Sequence, residues 1–333
     1  MSSSSAIPLI DVDRQPGRPP MMRVDQPPDA PAWATEHRDG LRALVAEHGA
    51  IMVRGLGLHD VAEIGMVFRN LSDRLMTERE AFAPRRVYAD GVYSSATWPA
   101  NQPMCMHHEL SYALEVPSLM LFACATPPSQ GGATGVADSP SVLRALPAEL
   151  TERLGRDGWL LARNYNDDIG ASIEDAFGTY DPSAVEAYCR ANAIDFEWQP
   201  DGGLRTQQRR AAVVPHPVTG EPCWFNQIAF LNEWTIAPEV REYLVDMYGE
   251  EGLPFNTRFG NGDPITEDTV ALLNEVYEAN TAREPWRAGD LMLVDNIRTA
   301  HSREAYEGPR EVLVGMANPV RLGNSPASEV TAV

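Results

Sequence analysis

Positive charge is scarce in this sequence. Its 333 residues carry 27 Lys plus Arg against 47 Asp plus Glu, a formal net charge of −20. Such a chain offers no electrostatic footprint for nucleic acid or for an anionic membrane. An anionic ligand must instead be captured by a few buried cations. Long apolar runs are missing too: none approaches the roughly 18 residues of a membrane span. The start, Met1 to Ile10, has no basic stretch leading into a long apolar one, so no targeting segment is expected. The four cysteines (Cys105, Cys124, Cys189 and Cys223) are scattered, with no CxxC pair. They read as reduced thiols of a cytoplasmic protein, not as a disulfide or zinc framework. No GxGxxG or GxxxxGK[ST] stretch opens a helix, which excludes the common nucleotide folds. No fixed period recurs, which excludes solenoids and propellers.

What is present is globular: 44% of residues are hydrophobic and 22% charged. Residues 1–34 read as an extended, Pro-rich leader, residues 35–322 as a single domain, and 323–333 as a flexible tail. Helical periodicity marks Trp33–Gly49, Val61–Glu80, Ser139–Asp157, Pro182–Ala193, Pro238–Tyr248 and Glu267–Ala282. Residues 85–102, rich in Tyr, Ser, Asn and Pro, read as a long loop over something functional. Short strand-like runs fill the rest: Ala50–Arg54, Met104–Tyr112, Ser118–Ala125, Gly135–Asp138, Trp159–Tyr165, Asp195–Trp198, Leu204–Gln207, Ala211–Pro215, Cys223–Ile228, Asp290–Asp295 and Glu311–Ala317. The class this predicts is mainly β with helical insertions, built on a double-stranded β-helix, or jelly roll.

Only seven histidines occur, and His107-His108-Glu109 lies in a strand-like run. Side chains alternate along a strand, so His107 and Glu109 share a face and His108 points away. One imidazole and one carboxylate two positions apart can grip one cation. His301, after the run Leu291–Asp295, is the best third ligand. Two His and one carboxylate on one face of an octahedron is the arrangement of non-haem Fe(II) oxygenases. Taken alone, HxE is common; its weight comes from the stretches around it.

Those stretches run from Met106-His-His-Glu-Leu-Ser-Tyr112 through Pro127–Thr134 (PPSQGGAT), Asp138 and Phe177-Gly-Thr179. They continue with Leu204-Arg-Thr206, His216-Pro-Val-Thr-Gly220, Trp224-Phe-Asn226 and Leu253-Pro254. Asp295-Asn-Ile-Arg-Thr-Ala-His-Ser-Arg303, Gly308-Pro-Arg310 and Val312-Leu-Val-Gly-Met316 complete them. In this order the sequence resembles the Fe(II)/2-oxoglutarate-dependent dioxygenases of the taurine dioxygenase family. It is most similar to the branch of clavaminate synthase-like bacterial amino-acid hydroxylases of natural-product pathways. The resemblance implies His107, Glu109 and His301 as iron ligands, with Arg310 and Thr134 on the distal carboxylate of 2-oxoglutarate. A guanidinium fork suits that carboxylate, and strand alternation lets Arg310 point inward with Val312 and Val314. The plain alternatives are an Arg310 paired with Glu307 or Glu311, and a Thr134 hydroxyl serving its own turn. Halogenases of this kind replace the carboxylate ligand with a small residue; Glu109 argues against halogenation. Ser302 stands where the branch usually has Gly.

The implied cofactors are Fe(II), 2-oxoglutarate as cosubstrate, and O2. The implied reaction is hydroxylation of an unactivated C–H, releasing succinate and CO2; desaturation, cyclisation or epoxidation would use the same site. Arg205, Asn226, Gln102 and Tyr112 are candidate substrate contacts, and Trp98 and Tyr93 candidate lid residues. The partner expected is a small molecule, an amino acid or its derivative, free or carrier-tethered, and a homo-oligomer is left open. A zinc-dependent hydrolase on the same three ligands, or an inactive binding jelly roll, leaves Arg310 and Thr134 without a purpose.

Overall fold

A computed structural model describes residues 12–166 and 169–323. The leader before residue 12, and the tail beyond Gly323, lie outside the described residues. Among those described, two antiparallel-dominated sheets face one another. The larger has the strand order Met21–Arg23, Ala50–Leu58, Gly289–Asp295, Glu115–Thr126, Glu311–Arg321, Val92–Ser94, Val87–Ala89. The smaller runs Thr281–Ala282, Thr134–Asp138, Thr299–Arg303, Met104–His107. The architecture is the expected jelly roll.

Strand alternation explains both cores. In Glu115–Thr126, Met120, Phe122 and Cys124 face the smaller sheet, and Leu119, Leu121 and Ala123 face the other way. On that outer side two helices cover the larger sheet. Ala30–His48 contributes Ala34, Leu41 and Val45; Val61–Leu71 contributes Ile64, Val67, Phe68 and Leu71. With both faces covered, the central strands read as continuous apolar runs and not as alternating ones. A third sheet, Asp195–Trp198, Leu204–Arg210, Trp159–Tyr165, Phe255–Phe259, carries its own apolar cluster around Tyr165, Phe177 and Val185. No helix among the described residues is long and apolar enough to cross a membrane.

Several expectations are corrected. The proline-rich leader is built into the fold from residue 13: Met21–Arg23 pairs parallel with Met52–Arg54, and Asp13 bridges to Met21. Prolines suit this edge, because the strand is only three residues long and, among the described residues, meets no further strand beyond the single bridge to Asp13. The first helix starts at Ala30, where Asp29 caps it by accepting from the Ala32 N–H at 2.8 Å. The second stops at Leu71, short of Glu80. Beyond it the Met76 N–H donates to the Met316 carbonyl at 2.8 Å, so the chain follows a sheet edge instead of continuing helical. Ser139–Asp157 is two helices, Ser139–Ala145 and Ala148–Asp157, because Leu146 precedes Pro147 and is extended. The 85–102 loop contains two short strands of the larger sheet, Val92–Ser94 and the edge strand Val87–Ala89.

Candidate active site

His107 ends the strand Met104–His107, and His301 lies in Thr299–Arg303. The two strands pair antiparallel with His301 directly opposite His107, and their ring centroids are 4.3 Å apart. Glu109 is no longer in a strand. The chain turns after His107, with Leu110 at φ 55°, and brings the carboxylate back to the same side. Asn296 fixes that turn. Its side-chain oxygen accepts from the Glu109 N–H at 2.8 Å, and its amide donates to the Glu109 carbonyl at 2.9 Å. Ligand atoms of His107, Glu109 and His301 all lie within 4.8 Å of one another, close enough for one cation to touch all three. All three side chains are buried.

Each ligand is prepared chemically. The Nδ1 of His107 meets the Cys105 carbonyl at 2.8 Å, which assigns the proton to Nδ1 and leaves the Nε2 lone pair free. Burial, with His301 alongside, pushes the His107 pKa down to about 3, so its imidazole is neutral at ordinary pH. Burial alone would raise the Glu109 pKa, but Arg85 and the two imidazoles outweigh it and hold the carboxyl well below its usual range. Neutral imidazole and ionised carboxylate are the forms that bind metal. His301 Nδ1 is buried without a hydrogen-bond partner. His108 points away, as expected: Nδ1 meets the Asn296 carbonyl at 2.5 Å and Nε2 the Ser139 hydroxyl at 2.9 Å.

The triad lines a small cavity of about 40 Å³. Arg310 and Thr134 line it as well. Arg310 pairs with neither Glu307 nor Glu311. Its Nε donates to the Gly132 carbonyl at 3.0 Å and its Nη1 to the Ser95 hydroxyl at 3.3 Å. Burial, with Arg303 nearby, pushes its pKa down to about 10, which still leaves it charged. Arg310 is half-buried, and a carboxylate brought by a ligand would give its fork a charged partner. Thr134 Oγ1 accepts from the Trp286 indole at 3.2 Å, so its own proton remains available to donate.

The family described as "Taurine catabolism dioxygenase TauD, TfdA family" matches residues 16–317. The chain belongs to this family. Its members are Fe(II)- and 2-oxoglutarate-dependent dioxygenases, and this chain is an oxidoreductase of that kind. The dapdiamide synthesis protein DdaC of Enterobacter agglomerans is 31% identical over 83% of this chain and 84% of its own. A clavaminate synthase-like protein of Arabidopsis thaliana is 26% identical over 83% of each. Among solved structures, the PvcB protein of Pseudomonas aeruginosa matches with a TM-score of 0.54 at 18% identity, covering 92% of this chain and 89% of that one. A putative alpha-ketoglutarate-dependent taurine dioxygenase from Burkholderia xenovorans matches with a TM-score of 0.52 at 16% identity, covering 96% and 97%. At these identities the two structures establish the shared fold.

None of the residues expected to touch substrate lines the cavity of this TauD-type site. Arg205 lies on the third sheet and is ion-paired with Glu251. Asn226 is buried with both ends used, donating to the Ala212 carbonyl at 3.2 Å and accepting from the Ile228 N–H at 3.1 Å. Tyr112 donates to the Glu80 carbonyl at 2.8 Å, a structural tie in the core. Gln102 is exposed, and its carbonyl accepts from Arg303 at 2.7 Å. Tyr93 is buried on the strand Val92–Ser94 and accepts from the Glu78 N–H at 3.1 Å, so it forms no lid. Trp98 packs against Phe230 at 5.7 Å, and Phe230 stacks on His107 at 4.7 Å, so Trp98 adjoins the site through another ring.

The structure adds residues that carried no local sequence signal. Phe82 and Phe230 meet edge to face at 5.0 Å beside His107 and make an apolar wall. Arg85 lines the cavity and is ion-paired with Glu109. Ser302 stands opposite Gly135 in the strand pairing, and a Cβ at Gly135 would come within 2.6 Å of the Ser302 hydroxyl. A side chain at 302 is tolerated because its cross-strand partner has none.

Proposed function

We propose that this enzyme hydroxylates an unactivated C–H of an amino acid or amino-acid-derived natural-product intermediate, with conversion of 2-oxoglutarate to succinate and CO2. The carrying observation is convergence: His107, Glu109 and His301 share one cavity with a half-buried, carboxylate-free Arg310 and with Thr134. In this reading His107, Glu109 and His301 hold Fe(II), which when bound with 2-oxoglutarate supplies the oxidising power to break a C–H bond. Arg310 presents its fork to the distal carboxylate of the cosubstrate. Thr134 donates its hydroxyl proton to the same group while Trp286 holds the oxygen in place. The Cys105 carbonyl keeps the His107 ring in one tautomer. Phe82 and Phe230 exclude water from that side of the triad. The similarity to a dapdiamide synthesis protein supports a natural-product substrate. Free, mostly buried cysteines support a cytoplasmic setting.

The test is anaerobic. Metal-free protein receives Fe(II) and then 2-oxoglutarate, and the visible metal-to-ligand charge-transfer band is recorded. The band is expected, followed by succinate release once O2 and a substrate from an amino-acid library are added. Bound iron without the band would remove Arg310 and Thr134 from the cosubstrate. A desaturated, cyclised or epoxidised product would correct the reaction while leaving the ligand set in place.

A further inference from the structure

Arg85 makes an unusual contact with the metal triad. A single nitrogen, Nη2, lies 3.1 Å from Glu109 Oε1 and 3.0 Å from Oε2. A cation equidistant from both oxygens sits on the bisector of the carboxylate, where a metal bound through both oxygens would sit. Arg85 is itself anchored. Its Nε donates to Glu78 Oε1 at 3.2 Å, and Nη1 reaches the Ser94 carbonyl at 3.4 Å. The side chains of Arg85, Glu78 and Glu109 are 5%, 8% and 1% exposed, so none can turn to solvent. On its other side, Glu109 Oε2 lies 3.7 Å from His301 Nε2. One oxygen edge therefore remains open toward the imidazoles while the chelating position is filled.

We propose that Arg85, anchored by Glu78, is a positioning residue that restricts Glu109 to a single metal–oxygen bond and keeps a coordination position open for the cosubstrate or O2. This rests on reading the triad as the Fe(II)/2-oxoglutarate centre. An octahedral ion held by two imidazoles and one carboxylate oxygen keeps three positions open, and a second carboxylate oxygen would take one of them. Outer partners of metal ligands commonly change binding at the metal by 10–100-fold when removed.

The experiment compares wild type with Arg85→Met, Arg85→Lys and Glu78→Gln under anaerobic conditions. Metal affinity is measured by Co(II) titration, and 2-oxoglutarate affinity through the charge-transfer band of the Fe(II) protein. Arg85→Met is expected to keep its metal and to bind 2-oxoglutarate at least tenfold more weakly, with an altered Co(II) ligand-field spectrum. Arg85→Lys, whose ammonium cannot hold both glutamates as a fork does, should weaken 2-oxoglutarate less. Glu78→Gln should do the same by loosening the guanidinium. Should Arg85→Met not fold, the Lys and Gln variants carry the comparison. Wild-type 2-oxoglutarate affinity in metal-loaded variants overturns the role of Arg85. So does loss of metal from a folded Arg85→Met protein, since the guanidinium would then build the site instead of restricting it. A wild-type protein that gives no band overturns the reading of the triad itself, and this role with it.

Discussion

At the scale of single residues, the site is a balance of charges taken out of water. Arg54 is held at 2.8 Å by Asp290 and at 2.6 Å by Glu284, and Arg85 by Glu78 and Glu109. Arg310 has a carbonyl and a hydroxyl as partners and no carboxylate. Arg163, Arg210 and Arg303 are likewise held by carbonyls alone, so the argument for an anionic cosubstrate is that Arg310 lines the cavity of the triad beside Thr134. Replacing Arg310 with Ala removes a bidentate, charge-assisted pairing worth about 1.5–3 kcal/mol, or roughly 10- to 150-fold in 2-oxoglutarate affinity. Arg310→Lys should recover only part, because an ammonium lacks the fork. Anaerobic titration of the charge-transfer band checks both variants; wild-type affinity in Arg310→Ala would release the residue from that task. His107→Ala and His301→Ala should each abolish Fe(II) binding, measured by equilibrium dialysis of the folded variants. Retained binding in either would break the triad.

At the scale of elements, two devices aim these residues. One is the pairing of Met104–His107 with Thr299–Arg303, which sets one imidazole against the other across a register shift. The second is the turn at Gly131–Gly132, where both residues have positive φ. A Cβ at Gly132 would lie 2.8 Å from Pro128, 2.9 Å from Tyr306 and 3.2 Å from Arg310. Its carbonyl is also the acceptor for Arg310 Nε. Gly132→Ala therefore combines a disfavoured backbone conformation, about 1 kcal/mol or more, with a push on Arg310, the arginine proposed to hold the cosubstrate. The expected outcome is a loss of 2-oxoglutarate affinity larger than the loss of Fe(II) affinity. Equal losses would mean the turn serves the fold alone. The central strand Glu115–Thr126 was legible in the sequence because a short apolar run is a local signal. The end of the strand at His107 was not, because Asn296, which holds the following turn, comes from a distant segment.

At the scale of the whole molecule, charge and coverage decide. The chain contains no lysine, so all 27 of its basic residues are arginine. Every buried cation is thus a guanidinium able to bridge two acceptors, as Arg54 does between Glu284 and Asp290. The N-terminal segment completes this coverage. Met21 and Met22 are 4% and 9% exposed, and Arg18 joins the same network through Glu284 at 3.4 Å. Deleting residues 1–27 should uncover the edge of Ala50–Leu58 and remove two buried methionines, at about 1.5–3 kcal/mol each. The urea midpoint would fall accordingly; an unchanged midpoint would make the segment dispensable. The same burial explains why prolines misled the reading of this region. They report where a chain lacks backbone donors, not whether its neighbouring methionines find a core.

By itself the sequence determined the β class, the apolar strand runs and the chemical identity of the triad. It also carried the pairing of a glycine turn with a downstream arginine. These are properties of residue type and short spacing, and local periodicity suffices to express them. Only the tertiary structure decided which distant strand stands opposite His107, that Glu109 reaches the site from a turn, and that Arg85 closes its far side. It also decided that Arg205, Asn226, Gln102 and Tyr112 do not line the cavity of the triad. Side-chain proximity between distant segments depends on sheet register and on the packing between sheets. No window of neighbouring residues contains that information.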